Sequence, residues 1–368
     1  MKFAFRTAAE IHFGPGEAKR LPDHAARFGK RPFVVTGSRG FAGLDGPSVR
    51  VSGEPDVATV DAAVKICRDE GCDVVVGVGG GSVLDTAKAV AGMAANPGSV
   101  VEYLEDVGTK TLAAAPLPFV AAPTTAGSGS EATRNAVIRV PEKGVKRSLR
   151  HDLLLPRAAV VDPELSGAAP LGVAAAAGLD ALTHLIESYT SNGAQATTDA
   201  LALPGARMAF QALRALAAGK ADGASKEAMA LASLWGGIAL ANAGLGAVHG
   251  LVAPLGGRRA IAHGNACACL LASTVAANLE ALRARSPGNP ALGRYAAIAD
   301  ALGERSPESL VGALDGLRRD LGVPALAAFG LRREDFPAIV KDSRGSSMKF
   351  NPIVLTDEEL SGILAASL

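Results

Sequence analysis

Residues 74–88 read VVVGVGGGSVLDTAK, and this stretch decides the fold. Val74-Val75-Val76-Gly77-Val78 is a short run of β-branched residues, as expected of a strand buried on both faces. Gly79, Gly80, Gly81 and Ser82 follow, and a helical pattern then runs from Val83 to Met93. Strand, glycine turn and helix open a βαβ unit. Glycines let phosphate oxygens approach the backbone, and a helix N-terminus offers unpaired N–H groups and positive potential. The dinucleotide GxGxxG pattern is not met, because Ser82 stands where a third glycine would be, and no Gly-Lys-Ser/Thr follows. The stretch reads either as a tight structural turn or as a pyrophosphate site, and three adjacent glycines favour the second. Asp85 is expected in the first helical turn, complementing the helix dipole or touching a ligand.

Outward from this stretch the same alternation continues. Phe3, Phe5 and Thr7 alternate, as do Ile11 and Phe13, which predicts two short strands. Gly14-Pro15-Gly16 is a turn, and 17–28 and 61–70 look helical. Residues 32–36, 118–122 and 158–161 are further strand candidates. Strands separated by helices give a parallel sheet. Past Asp162-Pro163 the pattern becomes Ala- and Leu-rich helix. The expected architecture is an α/β Rossmann-like domain over 1–165 and an all-helical domain over 166–368. A second polar loop, Pro123-Thr124-Thr125-Ala126-Gly127-Ser128-Gly129-Ser130-Glu131, follows another strand. Ser128 or Ser130 is expected to cap a helix there. Loops at strand C-termini are where ligands sit in such sheets.

Composition excludes several function classes. Hydrophobic residues make up 48% of the 368, enough for a sizeable core. Lys and Arg exceed Asp and Glu by 37 to 36, so no basic field points to nucleic acid, and 4% aromatics leave little to stack on bases. Four cysteines are too few for a disulfide scaffold, and the opening MKFAFRTAAE lacks a signal peptide's apolar core. A reduced cytoplasmic protein is the expectation. Residues 228–257 carry no Asp, Glu, Lys or Arg, but Asn242, His249 and Pro254 interrupt them. They read as a buried helix followed by a helix start, not as a membrane span.

The helical half holds the metal candidates. Asp180 and His184 stand four apart in GLDALTHLIESY, residues 178–189, on one helix face. A buried Asp and His need partners. The pair is either a core hydrogen bond or part of a metal site. His249 and His263, both in Gly-rich, charge-free surroundings, shift the balance toward a site. Three imidazoles and a carboxylate suit Fe²⁺ or Zn²⁺. Cys267, four residues after His263, is a competing ligand or a small buried residue. His12, His24 and His151 fall in surface-like contexts and receive no role.

Taken in order, these segments resemble the iron-containing (group III) alcohol dehydrogenases. The carriers are GGGSVLDTAK at 79–88, PTTAGSGSEATRNAV at 123–137, KRSLRHDLLLPRAAVVDPELS at 146–166, GLDALTHLIESY, HGLVAPLGG, AHGNA and the tail SSMKFNPIVLTDEEL. The resemblance covers nearly the whole chain. It implies a dehydroquinate synthase-like architecture with a site in the cleft between the domains. It implies metal ligation and catalysis at Asp180, His184, His249 and His263. It further implies cofactor contacts at Gly80, Gly81, Ser82, Thr124, Thr125, Ser128, Asn135, Lys146 and Leu165, and commonly a homodimer paired through the N-terminal strands.

Two departures stand out. Four residues after His249, where the family usually has a histidine tied to proton transfer, stands Ala253. After the second strand, where NAD-preferring members often carry Asp, stands Gly37, followed by Ser38 and Arg39. Gly37 removes a charge that would repel a 2′-phosphate, so NADPH is expected to serve at least as well as NADH. The reading is hydride transfer between NAD(P)H and an alcohol, aldehyde or ketone, the metal acting as Lewis acid. Alternatives are a maleylacetate reductase-like keto-acid reductase and a dehydroquinate synthase-like lyase.

Overall fold

The structure is a computed structural model that describes residues 2–345 and 347–368. Two compact units emerge, Arg6–Ala169 and Pro170–Leu368, the latter joined by Met1–Phe5.

In the first unit six strands form one parallel sheet. They are β1 (Ile11–Phe13), β2 (Pro32–Thr36), β3 (Ser48–Arg50), β4 (Val74–Gly79), β5 (Phe119–Pro123) and, after the hairpin described below, β8 (Ala158–Val161), in the order β1-β8-β5-β4-β2-β3. Helices α1 (Leu21–Ala26), α2 (Val57–Asp69) and α3 (Gly81–Ala94) lie between strands, and α4 (Pro163–Ser166) closes the unit. β4 is buried along its whole length. Its Val75 joins Phe33, Val35 and Phe119 in one apolar cluster, while Val74, Val76 and Val78 join Leu21, Val120 and Val160 in another. Both faces of the sheet are therefore covered, which is why the strand sequence is continuously apolar.

Chain direction reverses between β2 and β4. From β2 the chain goes outward to β3, then returns past β2 to β4 and continues to β5. Ligand crevices of open parallel sheets lie at such reversals, beyond the strand C-termini. Gly37 follows β2 and Gly80 follows β4 there.

Four expectations need correction. Phe3, Phe5 and Thr7 form no strand; residues 2–8 carry no secondary structure. Alternation alone does not make a strand without a hydrogen-bonding neighbour. The helix expected over 17–28 is a 3-10 turn, Glu17–Arg20, running into the short α1. Residues 135–150 form an antiparallel hairpin, β6 (Asn135–Val140) and β7 (Val145–Arg150), which the sequence reading did not foresee. Ala136, Ile138 and Val140 point inward and Val137 and Arg139 outward, a half-buried alternation diluted by charged residues. His24, placed at the surface from sequence, is buried at 2% exposure.

The second unit is helical throughout, with α5 (Leu171–Thr190), α6 (Ala196–Ala217), α7 (Gly223–Ala243), α8 (Ala247–Arg258), α9 (His263–Arg285), α10 (Ala291–Leu302), α11 (Pro307–Asp320), α12 (Phe336–Asp342) and α13 (Asp357–Ala366). α5 packs against α6, α7 and α9. The charge-free stretch is α7 and α8, bent by 99° at Gly244, whose φ of 76° favours glycine. α9 is apolar and long enough to cross a membrane, but 67% of that window is buried inside the protein, and Cys267, Leu270, Leu271 and Val275 lie in its core.

Close approach of α9 to α5 depends on Gly264. A Cβ there would stand 2.2 Å from the carbonyl oxygen of Ala176. Backbone cannot yield as a flexible side chain does. Gly264→Ala is therefore expected to destabilise the protein by about 1–3 kcal/mol, read as a lowered thermal midpoint. An unchanged midpoint would show that the two helices are free to separate.

Candidate functional site

α5 presents Asp180, His184 and Glu187 at the spacing of successive turns on one face. His249 comes from the first turn of α8, and His263 is the first residue of α9. These helices bring four of the sequence candidates together. Asp180 Oδ1 lies 3.5 Å from His184 Nε2, 3.4 Å from His249 Nε2 and 3.7 Å from His263 Nε2. The rings of His184 and His249 stack with centroids 4.7 Å apart. Asp180, His184 and His249 are buried, whereas the His263 side chain is 47% exposed and forms the open side.

The donor set fits a divalent metal. Asp180 Oδ1 is buried and accepts no hydrogen bond, and its distances to the three nitrogens are longer than a good N–H···O bond. Two ligands about 2.0–2.1 Å from one tetrahedral ion stand about 3.3–3.4 Å apart, close to the separations seen. Burial alone would raise the Asp180 pKa, but His184, His263 and His249 hold it far below the usual carboxylate range. Burial would also push His249 toward its neutral form, yet the Asp180 and Glu187 carboxylates beside it act the other way and its pKa is raised above that of free histidine. The pocket thus favours positive charge at its centre.

Cys267 also reaches this cluster: one donor atom each from Asp180, His249, His263 and Cys267 falls within 4.8 Å of the others. Its Sγ is 3.7 Å from His249 Nε2. Burial, reinforced by Asp180, pushes the thiol pKa far up, so it stands there as a neutral S–H group.

Glu187 was not singled out from sequence. Its Oε2 is 2.6 Å from His249 Nδ1 and its Oε1 accepts from the Val248 N–H at 2.7 Å. That contact leaves His249 Nε2 facing Asp180, as a carboxylate behind a ligand histidine does. Asn351 Oδ1 accepts from the Ala247 N–H at the start of α8, and Asn351 exchanges hydrogen bonds with Asn278. The sequence signal was present for Glu187, three residues beyond His184 on the same face. Asn351 lies too far along the chain for spacing to reveal it.

The glycine loop sits in the first unit. Gly79 pairs with Pro123 across the sheet, and the Thr124 N–H donates to Gly79 O at 2.9 Å. The two polar loops therefore lie side by side. A Cβ on Gly80 would stand 3.3 Å from Thr125 Oγ1, and one on Gly81 3.0 Å from Ser128 Oγ. Gly80 caps α3 without a side chain, and Ser82 occupies its first turn. Here the backbone N–H groups at the helix start face a lining of hydroxyls, as an anion site requires.

Asp85 and the 123–131 loop depart from expectation. Asp85 falls past the first turn of α3, is half-buried, and accepts from Ser130 Oγ (2.7 Å) and the Val137 N–H (3.0 Å). It shapes the loop rather than the helix end. Neither Ser128 nor Ser130 caps a helix, since only the 3-10 turn Ser130–Ala132 follows, with Gly129 at its cap. Lys88, fully buried, donates to Ser130 O, Ser130 Oγ, Thr133 Oγ1 and Asn135 O at 2.8–3.0 Å. Asn135 thus uses its carbonyl internally. Lys146 Nζ pairs with Glu54 at 2.6 Å, Leu165 packs on the apolar cluster of α1, β4 and β5, and Arg39 Nη1 donates to Ala168 O at 3.0 Å.

Glu131 lies in this buried network with Oε2 unpartnered, and burial pushes its pKa from 4.5 to about 7. The folded state holds this proton to higher pH than the unfolded chain does. Its contribution to stability is therefore complete below pH 4.5 and is lost as pH rises toward about 7, for a total of about 3 kcal/mol. Glu131→Gln should remove that slope, so the difference in urea midpoint between variant and wild type should grow from about pH 5 to 7.5. A constant difference would mean that Glu131 is not buried in its acid form.

Two family profiles match the chain. "Iron-containing alcohol dehydrogenase" covers residues 8–163, and "Fe-containing alcohol dehydrogenase family, C-terminal" covers 174–368. Long-chain-alcohol dehydrogenase 1 of Geobacillus thermodenitrificans is 36% identical over 85% of this chain and 80% of its own length. NAD-dependent methanol dehydrogenase of Bacillus methanolicus is 34% identical over 89% and 86%. Among solved structures, sulfoacetaldehyde reductase from Bifidobacterium kashiwanohense in complex with NAD⁺ superposes with a TM-score of 0.87 at 29% identity, covering 100% of this chain and 99% of that one.

Proposed function

The chain belongs to the iron-containing alcohol dehydrogenases, metal-dependent alcohol oxidoreductases, and from that premise we propose that Asp180, His184, His249 and His263 hold its metal, Fe²⁺ or alternatively Zn²⁺. The observation that carries this reading is Asp180 Oδ1, buried and facing three imidazole nitrogens at 3.4–3.7 Å without a hydrogen bond of normal geometry among the described residues. The metal supplies a Lewis acid for the substrate oxygen, and NAD(P) supplies the hydride donor or acceptor. The protein's own part is positioning. Glu187 fixes the His249 ring. The exposed edge of His263 leaves room for a small alcohol or aldehyde. Ala253, one turn beyond His249, carries no titratable group, so the substrate proton leaves through water or a cofactor ribose hydroxyl.

Gly80, Gly81, Ser82, Thr124, Thr125 and Ser128 cradle the cofactor pyrophosphate. Asn135, Lys146 and Leu165 are further cofactor contacts, Lys146 exchanging its Glu54 partner for the cofactor. Exposed Phe3 and Phe5, in a segment with no secondary structure, support pairing of two chains as a homodimer. The free, buried thiols support a reducing compartment such as the cytoplasm.

The test is NADH and NADPH depletion over aldehydes, ketones and keto acids, with metal content measured on the same samples. Asp180→Asn and His249→Ala should lose the metal and at least about a hundredfold in activity while keeping the wild-type circular dichroism, because each removes a ligand while the apolar packing of the surrounding helices is left in place. Glu187→Gln should weaken metal binding about 10–100-fold. Full metal occupancy in both His249→Ala and His263→Ala would overturn the ligand set.

Coenzyme choice turns on Gly37. A Cβ there would meet only Val83 Cγ2, at 3.7 Å, so an aspartate fits sterically. NADPH is expected to serve at least as well as NADH in the wild type. Gly37→Asp should shift the kcat/KM ratio toward NADH by about 1–3 kcal/mol. A wild-type enzyme that strongly prefers NADH would refute this.

A further inference from the structure

A second set of ligand-type side chains lies in the first unit and shares no residue with the Asp180 cluster. His12 sits on β1, Glu17 opens the 3-10 turn after it, and His24 lies on α1. The turn between His12 and Glu17 uses Gly14 at φ 153° and Gly16 at φ 83°, conformations that glycine adopts without strain. It folds the chain back so that one donor atom from each of the three side chains lies within 4.8 Å of the others. The His12 and His24 ring centroids are 4.0 Å apart, and His24 Nε2 is 3.6 Å from Glu17 Oε2.

What marks this cluster is unmet bonding. His24 is 2% exposed, yet neither of its ring nitrogens has a hydrogen-bond partner. Glu17 Oε2 is likewise buried without a donor. Leaving such groups unpaired costs about 1–3 kcal/mol each. Burial, then the neighbouring His12, keep His24 in its neutral, lone-pair-bearing form, although Glu17 pulls the other way. Around the cluster, the Glu10 carboxylate lies 3.1 Å from His12 Nε2 and is itself held by the Arg27 guanidinium through two contacts of 2.7 Å. That is the carboxylate-behind-histidine arrangement that fixes a ligand ring. Arg20 contacts only the other oxygen of Glu17, at 3.4 Å.

We propose that His12, Glu17 and His24 form a second divalent-metal site, with the His₂Glu donor set that suits Zn²⁺, its fourth position open to water on the half-exposed side of His12 and Glu17. A metal there cross-links β1 to α1 at the edge of the sheet and gives the unpartnered His24 nitrogen and Glu17 Oε2 a common partner.

Equilibrium dialysis of the full chain against buffered free Zn²⁺, with metal per chain measured by elemental analysis, tests the site. His12→Ala and Glu17→Gln should each bind about one equivalent less than the wild type at the same free Zn²⁺. If alanine at position 12 unfolds the chain, His12→Gln takes its place. His249→Ala should lose a different equivalent, so that its loss and that of His12→Ala add in the double variant. Wild-type zinc content in either the position-12 or the Glu17 variant overturns the site, and additivity failing overturns its independence.

Discussion

One carboxylate oxygen organises the helical unit. Asp180 Oδ1 faces three Nε2 atoms carried by α5, α8 and α9 at 3.4–3.7 Å, and among the described residues none makes a hydrogen bond of normal geometry to it. Each helix must therefore hold its length, start and direction within a fraction of an ångström. α7 ends at Gly244 so that α8 can turn by 99° and point His249 inward. α9 begins at His263, and Gly264 beside it lets the helix start press against the Ala176 carbonyl. A buried charge set of this kind is costly unless it is paired. The apolar packing of the surrounding helices is what keeps the four donors from relaxing apart.

The α/β unit depends on a different buried polar device. Lys88 spends its ammonium protons on Ser130, Thr133 and Asn135, and Asp85 takes the Ser130 hydroxyl and the Val137 N–H. Both residues come from α3, whose first turn is the glycine loop. The helix that begins in the glycine loop thus also fixes, one and two turns later, the hydroxyl-rich loop beside it. The glycine loop and the neighbouring loop share one network, and the hairpin β6–β7 is tied in through Asn135 and Val137.

Much of this was legible in the residues. β4, the glycine run and α3 read directly, because a strand buried on both faces is continuously apolar and the glycines mark its end. Asp180 and His184 were legible because a helix repeats every 3.6 residues. His249 and His263 stood out as imidazoles in charge-free surroundings, although nothing in their spacing joined them to α5. What was not legible depended on partners distant in sequence. Glu187 gains meaning only once His249 is beside it, and Asn351 only once α8 begins where it does. The N-terminal alternation at Phe3, Phe5 and Thr7 looked like a strand because periodicity reports a preference, whereas a strand also needs a neighbour. His24 looked like a surface residue because its helix is short and its sequence polar.

The unsatisfied buried atoms divide into two kinds, and the division is chemical. Glu131 Oε2 has no hydrogen-bond partner, and among the described residues it belongs to no group of three or more ligand-type donors. A single proton resolves its burial, which is why its pKa rises to about 7. Asp180 Oδ1 and the His24 nitrogens are different, since each stands with other lone-pair donors gathered within 4.8 Å. One proton can bridge two such donors but not three or four. A divalent cation can serve them all with bonds of about 2.0–2.2 Å, at the cost of stripping its water. Convergence of several acceptors on one point, rather than burial of any one of them, is therefore what both proposed metal sites rest on, the helical cluster around Asp180 and the histidines of β1 and α1 alike.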